Sequence, residues 1–134
     1  MTPLKSESKK ALSVRRYPGL TLRILSAEHP AMGPGKAQLI ELIAKSGSIS
    51  AAARELGMSY RRAWVLVAAI NASFKKPVVL TATGGKKGGG TQVTPYGLTL
   101  VARFREMEVK ASQSIQAHLH RFNAQLKTPL KTEK

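Results

Sequence analysis

Residues 46–67, "SGSISAAARELGMSYRRAWVLV", constrain the fold of this chain more than any other stretch. Ser48 is a candidate N-cap for a short alanine-rich helix, because its hydroxyl can accept from the exposed amides of a first turn. Gly57 can end that helix, since glycine adopts positive φ without strain. Ser59 is a second candidate N-cap, and another helix begins directly after it. Two helices joined by so short a turn predict a helix-turn-helix.

The second helix of this motif is polar at its start and apolar afterwards. Ser59, Tyr60, Arg61 and Arg62 open it, and we interpret Trp64, in the apolar run that follows, as a core residue. In helix-turn-helix proteins the first residues of the second helix face DNA, and the later ones enter the core. Arginine can form paired hydrogen bonds with guanine or charge-assisted bonds with phosphate. The alternative is that two adjacent arginines only form a solvated helix face. Their place at the start of the helix favours binding.

The loop "TGGKKGGG" at residues 83–90 separates two β-rich runs, "VVLTAT" and "TQVT". A phosphate-binding P-loop needs Ser or Thr after its lysine and then a helix, whereas glycines and a strand follow Lys86 and Lys87. A hairpin directly after a helix-turn-helix predicts the wing of a winged helix, whose glycines let the tip approach the sugar-phosphate backbone. The predicted DNA-binding residues are Ser48, Ser59, Tyr60, Arg61, Arg62, Lys86 and Lys87.

The segments around this motif complete a mainly α fold. We predict a short strand over residues 20–27, because apolar and polar residues alternate there. The stretch "HPAMGPG", residues 29–35, predicts a break in regular structure. A helix follows over residues 36–45, and a long helix runs from Pro95 to about Leu126.

The long helix carries an apolar stripe that one small domain does not easily cover. A partner chain packed along the stripe is the predicted solution, and packing on the chain's own core is the alternative. The predicted dimerisation residues are Phe104, Ile115, Leu119 and Phe122. The predicted domains are a basic flexible arm (1–18), a winged helix-turn-helix domain (19–95), a long dimerisation helix (96–126) and a disordered tail (127–134).

Charge and composition restrict the class of partner. The chain has 22 Lys and Arg against 7 Asp and Glu, a net charge of +15, which indicates a polyanionic partner. Nucleic acid is the first candidate and an anionic membrane surface the second. No apolar run is long enough for a membrane helix or a signal peptide, and the absence of cysteine fits a reducing compartment. We therefore expect a cytoplasmic protein that binds DNA and no membrane.

An enzyme is not indicated. The acidic residues are scattered, and His29, His118 and His120 lack the partners that catalysis or metal binding would need. We predict no catalytic residue, no metal site and no cofactor.

Four stretches resemble a known family: "SGSIS" at 46–50, "GMSYRRAW" at 57–64, "ATGGKKGGG" at 82–90, and "LT" followed by "VTPYG" within 80–97. They are similar to the N-terminal DNA-binding domain of the ModE family of molybdate-responsive transcriptional regulators. The resemblance covers roughly residues 20–120. It implies a winged helix related to LysR-type DNA-binding domains, a dimer formed through the long helix, and a palindromic operator.

Two expectations follow for function. The sequence ends soon after the long helix, so we expect this chain not to bind molybdate, because an oxyanion site needs several converging donors in a closed pocket. We expect a sequence-specific transcriptional regulator that binds double-stranded DNA as a homodimer. The alternative is a nucleoid-type or RNA-binding protein of low specificity, which the charge alone fits equally well.

Overall fold

The computed structural model describes residues 19–28, 30–81 and 90–130, and over these residues the predicted mainly α fold with a β-hairpin wing is confirmed. The described elements, in chain order, are β1 (Ile24–Leu25), β2 (Pro30–Met32), α1 (Pro34–Ser46), α2 (Ile49–Leu56), α3 (Tyr60–Ser73), β3 (Val79–Thr81), β4 (Thr91–Val93), α4 (Pro95–Ser114) and α5 (Gln116–Asn123). The predicted arm (1–18), His29, the loop at 82–89 and residues 131–134 of the predicted tail lie outside the described residues.

Local capping sets the ends of the helix-turn-helix, as the sequence predicts. The Ser48 hydroxyl accepts from the amide of Ala51 at 3.0 Å at the start of α2. Gly57 ends α2 with a φ of 71°, in the left-handed region that favours glycine. The Ser59 hydroxyl accepts from the amide of Arg62 at 3.0 Å at the start of α3. Each serine cap typically contributes about 1 kcal/mol to helix stability.

The core lies between α1, α2 and α3, and the first half of α4 packs against α1 to close it. Each fully buried aliphatic side chain stabilises the fold by about 1.5–3 kcal/mol. The largest fully buried side chains are Leu39, Ile40, Ile43, Val67, Ile70 and Val78.

A charged network joins α1 to α4 beside this core. Arg105 forms ion pairs with Glu41 and with Glu108, each at 2.8 Å, and Glu108 is buried. The pKa of the Arg105 guanidinium is held above its usual value, mainly by the hydrogen bond with Glu41 and to a smaller extent by the one with Glu108. Arg105 therefore stays charged and offsets the buried carboxylate of Glu108.

The motif "VTPYG" joins the hairpin to α4. The Thr94 hydroxyl accepts from the amide of Gly97 at 2.9 Å as the N-cap of α4, and it donates to the carbonyl of Pro77 at 2.8 Å. Gly97 packs closely on Val78, the residue before β3, because an added Cβ would lie 2.7 Å from the Val78 carbonyl oxygen. This explains why glycine follows the cap here.

The predicted break at residues 29–35 is wrong for Pro30–Met32, which forms β2. Met32 pairs with Ile24 and Pro30 pairs with Leu25, so a second antiparallel pair precedes α1. Ala31 and Met32 bury their side chains, and proline is tolerated as the first residue of a strand. Helix α1 then starts at Pro34, two residues before the predicted Lys36, because proline suits a first helical turn.

The predicted continuous helix from Pro95 to Leu126 is interrupted at Ile115, where φ is −110° and ψ is 12°. Ser112 and Ser114 stand just before it, and serine hydroxyls compete for backbone hydrogen bonds within a helix. The Ser114 hydroxyl donates to the Ala111 carbonyl at 2.9 Å. Beyond the interruption α5 places Leu119 beside Gly19, where Leu130 also packs. The C-terminal apolar residues thus meet the start of the described chain rather than extend one straight stripe.

Candidate nucleic-acid interface

Helix α3 buries one face and exposes the opposite one. Ala63, Val67 and Ile70 are buried at spacings of four and three residues. Arg61 and Val65, four residues apart, lie together on the exposed side, and Val65 is 59% exposed. The start of α3 therefore exposes Arg61 to solvent, with an apolar side chain one turn further along.

The prediction that Trp64 is a core residue is wrong, because its side chain is 38% exposed. Its ring contacts that of Tyr60 edge to face, with the ring centroids 6.2 Å apart, and Tyr60 is 52% exposed. The buried face of α3 follows Ala63, and Trp64 stands about 100° further round the helix, so it lies at the edge of the exposed face. The pair extends the surface beside Arg61.

Arg62 faces a different direction from Arg61. Its side chain lines a cleft of about 230 Å³, together with Arg23 before β1 and Lys36 in the first turn of α1. The two adjacent arginines of the predicted site therefore serve two separate surfaces, and Arg23 and Lys36 join the second one.

Ser48 and Ser59, both predicted to contact DNA, use their oxygens as helix caps. A capping serine accepts through its oxygen and keeps its own hydroxyl hydrogen for another acceptor. Both residues stand at helix N-termini, where backbone amides and the helix dipole favour a phosphate.

The base of the wing is joined to the helix-turn-helix. The strands pair with Val79 opposite Val93 and Thr81 opposite Thr91, and the Thr91 amide donates to the Gly47 carbonyl at 3.2 Å. Lys86 and Lys87, at the predicted tip, lie outside the described residues.

Asn71 ties α3 to β3. Its Oδ1 accepts from the amides of Val78 at 2.8 Å and Val79 at 3.0 Å, and its Nδ2 donates to the Val79 carbonyl at 2.9 Å. One side chain at the end of α3 therefore holds the first strand of the wing.

The four predicted dimerisation residues differ in exposure. Phe104 is only 2% exposed within the chain's own core, so its side chain is not available to a partner. Ile115 and Leu119 are half-buried, and Phe122 is 63% exposed. Other exposed large apolar residues of α4 are Leu98, Met107 and Val109.

Within residues 19–28, 30–81 and 90–130, no cluster of three or more His, Asp or Glu side chains could hold a metal ion. In the same ranges no helix is long and apolar enough to cross a membrane. His118, predicted to lack a partner, has its Nδ1 3.3 Å from the Arg121 guanidinium, a neighbour three positions along the same helix.

Sequence reasoning missed five residues of the two surfaces and of the wing's attachment: Arg23, Lys36, Trp64, Val65 and Asn71. The run from Trp64 to Val67 is apolar on every side of α3, so the sequence pattern does not indicate that Val65 is exposed. No local pattern indicates Arg23 or Lys36, which come together only through the pairing of β1 with β2.

The chain is similar to regulators and molybdenum-binding proteins. It is 40% identical over 94 residues to the molybdenum-pterin-binding protein MopB of Rhodobacter capsulatus, covering 70% of this chain and 35% of MopB. It is 34% identical over 93 residues to the molybdenum transport protein ModE of Azotobacter vinelandii, covering 69% of this chain and 34% of that protein. It is 43% identical over 68 residues to the DNA-binding transcriptional dual regulator ModE of Escherichia coli K12, covering 51% of this chain and 26% of that protein. No protein-family model matches the chain.

The chain spans about a third or less of the length of these curated relatives, between 26% and 35%. Their names describe a transcriptional regulator, a transport protein and a pterin-binding protein, and none describes an enzyme. The chain therefore belongs to the ModE family, a family of transcriptional regulators, and corresponds to the N-terminal region of its members.

Proposed function

We propose that this chain is a sequence-specific DNA-binding transcriptional regulator that binds a palindromic operator as a homodimer in the cytoplasm. One observation carries the proposal: Arg61 stands at the exposed start of α3, opposite the buried face of that helix. A second helix presented in this manner is the element that enters the major groove in helix-turn-helix proteins.

The exposed face of α3 has the chemistry to read bases. Arg61 can donate two parallel hydrogen bonds to O6 and N7 of guanine. Val65, one turn further along, can contact the methyl group of thymine. Tyr60 and Trp64 flank these residues, and the Tyr60 hydroxyl can donate to a phosphate.

The wing is proposed to hold the DNA backbone. We expect Lys86 and Lys87 to supply charge at its predicted tip. The hydrogen bonds from Thr91 to Gly47 and from Asn71 to β3 set the base of the hairpin beside the helix-turn-helix. Contacts of this kind position a protein on DNA without reading its sequence.

The dimer is proposed to form through α4 and α5, where exposed apolar side chains include Val109 and Phe122. Ile115 and Leu119 are proposed to lie at the edge of the contact, and Phe104 is excluded by its burial. Two copies related by a twofold axis would place their recognition helices on half-sites about 34–36 Å apart.

A second candidate function is binding of DNA or RNA with little sequence preference, which the net charge of +15 favours. Selection from a pool of random-sequence DNA separates the two candidates. We expect the full chain to enrich an inverted repeat and to prefer it over random duplex by a factor of about 10³ or more at physiological salt. Equal affinity for selected and random duplexes, or preference for RNA, would support the second candidate.

A further inference from the structure

A cleft of about 230 Å³ lies between the start of α1, the turn that joins α2 to α3, and the first turn of α3. Three cationic side chains from separate segments line it: Arg23, Lys36 and Arg62. No carboxylate lines the cleft, and the ion pairs found within the described ranges involve Arg105 instead. The cleft thus brings three cationic side chains together, and none of them forms an ion pair with the described residues.

Lys36 and Arg23 each contact the backbone next to the cleft. Lys36 Nζ donates to the Pro30 carbonyl at 2.6 Å, which leaves two of its three ammonium hydrogens for another acceptor. Arg23 lies against Gly33, where an added Cβ would be 3.5 Å from Arg23 Cγ. The pKa of Lys36 is lowered, mainly by burial and to a smaller extent by the positive charge of Arg23. An anion in the cleft would relieve the repulsion between these like charges.

The backbone at the start of α1 adds donors to the same cleft. Gly33 is the N-cap and provides no side-chain cap, and the first turn contains no acidic residue. The first amide that bonds into the helix is that of Ala37, which donates to the Gly33 carbonyl at 3.0 Å. The amides of Gly35 and Lys36, two residues that line the cleft, therefore have no acceptor within the helix.

We propose that this cleft binds one phosphate group, held by charge-assisted hydrogen bonds from Arg23, Lys36 and Arg62. The inference rests on the proposed function: Arg62 is adjacent to Arg61, so the phosphate is a phosphodiester of the DNA whose bases Arg61 reads. The cleft is open to solvent, which suits a phosphate carried by a polymer better than a small free ion, which needs an enclosing pocket. Free inorganic phosphate has the same chemistry, and the experiment separates the two sources.

The first measurement uses the full chain and its selected DNA, with each phosphate in turn replaced by a neutral methylphosphonate. Among the phosphates that the native chain contacts, we expect one position in each half-site at which the replacement weakens binding about tenfold and at which this loss depends on Lys36. In Lys36→Gln the same replacement should have little further effect, because the lysine no longer bonds to that phosphate. Lys110→Gln removes the same charge from an exposed position of α4 and should keep the native pattern.

Gly35 provides a matched pair of variants that keep all three cations. A Cβ at Gly35 meets nothing within 4 Å, so both Gly35→Ala and Gly35→Asp can be accommodated. The new carboxylate of Gly35→Asp would stand among the cations and free amides and replace the ligand. We expect Gly35→Asp to raise the thermal midpoint above that of Gly35→Ala and to remove the sensitivity to the methylphosphonate.

Inorganic phosphate titrated into the full chain without DNA tests the second source. Two results together would assign the cleft to the free anion. The NMR signals of the Gly35 and Lys36 amides would shift saturably with phosphate, and Lys36→Gln would abolish these shifts. No methylphosphonate position would then depend on Lys36. If the amides do not respond and Lys36→Gln keeps the native methylphosphonate pattern, the cleft is not a phosphate site, although reading by Arg61 could still hold. If the chain shows no selective DNA binding, the proposed function falls, and the phosphate titration alone decides for or against the cleft.

Discussion

Arg61 and Val65 stand four residues apart on the exposed face of α3, so one arginine and one aliphatic side chain face the same way. Arginine distinguishes guanine by two parallel hydrogen bonds, and an aliphatic group distinguishes thymine by its methyl group. If the proposed function is right, these two residues read different bases of one half-site, and each can be tested separately.

Arg61→Ala should weaken binding to the selected operator by about 1–3 kcal/mol and binding to random duplex by much less. The physical reason is that the paired hydrogen bonds to guanine exist only on the correct sequence. Competition binding of operator against random duplex measures the difference. Arg103→Ala, an exposed arginine of α4, is the control. Equal losses on both DNAs after Arg61→Ala would show that Arg61 contacts only the backbone.

Val65→Ala should remove the distinction between thymine and uracil at one operator position. Uracil is thymine without its methyl group, so replacing thymine with deoxyuridine deletes the proposed contact from the DNA side. When uracil replaces thymine at that position, we expect the native chain to lose up to about 1 kcal/mol of binding free energy. The Val65→Ala variant should lose almost nothing from the same replacement. A native chain that binds every uracil-substituted operator as tightly as the original would contradict this role of Val65.

Among elements, Asn71 connects the wing to α3, and the hydrogen bond from the Thr91 amide to the Gly47 carbonyl connects the wing to the end of α1. Helices α1 and α4 are connected in turn by Arg105. The wing is thus held at its base by hydrogen bonds to the scaffold, and the proposed function assigns Lys86 and Lys87 to the DNA backbone.

Changing Lys86 and Lys87 together to alanine should weaken binding to operator and random DNA by similar factors. It should also flatten the dependence of log K on log salt by about 0.9 for each phosphate that the wing no longer neutralises. Affinities measured at several salt concentrations give the slope. A double variant that changed base preference while leaving the slope unaltered would show that the wing reads sequence.

Asn71→Leu should lower the free energy of unfolding by about 1–3 kcal/mol, because the amides of Val78 and Val79 lose their acceptor. The molecules that remain folded should also bind DNA more weakly, since the wing is no longer fixed to α3. Asn71→Asp keeps an acceptor for the two amides but places a carboxylate oxygen against the Val79 carbonyl, so it should restore only part of both properties. Urea denaturation and DNA titration at the same temperature provide the two measurements.

For the whole molecule, the proposed dimer explains how a small basic chain can select one site among many. Two linked half-site contacts act at a high effective concentration, which a monomer lacks. The C-terminal region offers the exposed Phe122 for that purpose, whereas Val101 and Phe104 are used by the chain's own core. The chain's own core thus covers the part of the apolar stripe that contains Val101 and Phe104. We propose that a partner chain covers the part that contains Phe122.

Phe122→Glu should shift the chain toward monomers and weaken operator binding, and adding Ile115→Glu should extend the effect. The new carboxylate would have to be desolvated within an apolar contact. Sedimentation at micromolar concentration measures the association. Gln125→Glu places the same charge at another exposed position and should leave the association unchanged. A native chain that sediments as a monomer at this concentration would remove the dimer from the proposal.

The sequence alone determined the helix-turn-helix, its serine and glycine caps, and the hairpin that follows. These features depend on residues within a few positions of each other, as when Ser48 caps the amide of Ala51, so their chemistry is visible in a short window. The start of α4 at Pro95 could be predicted for the same reason.

Only the tertiary structure decided which sides of these elements are used. The run from Trp64 to Val67 is apolar all round α3, and packing against the core determined that Ala63 and Val67 are buried while Trp64 and Val65 are exposed. Pairing of β1 with β2 brought Arg23 to Lys36, and the docking of α3 added Arg62. Such arrangements depend on contacts between segments distant in the chain, whose energies no local pattern records.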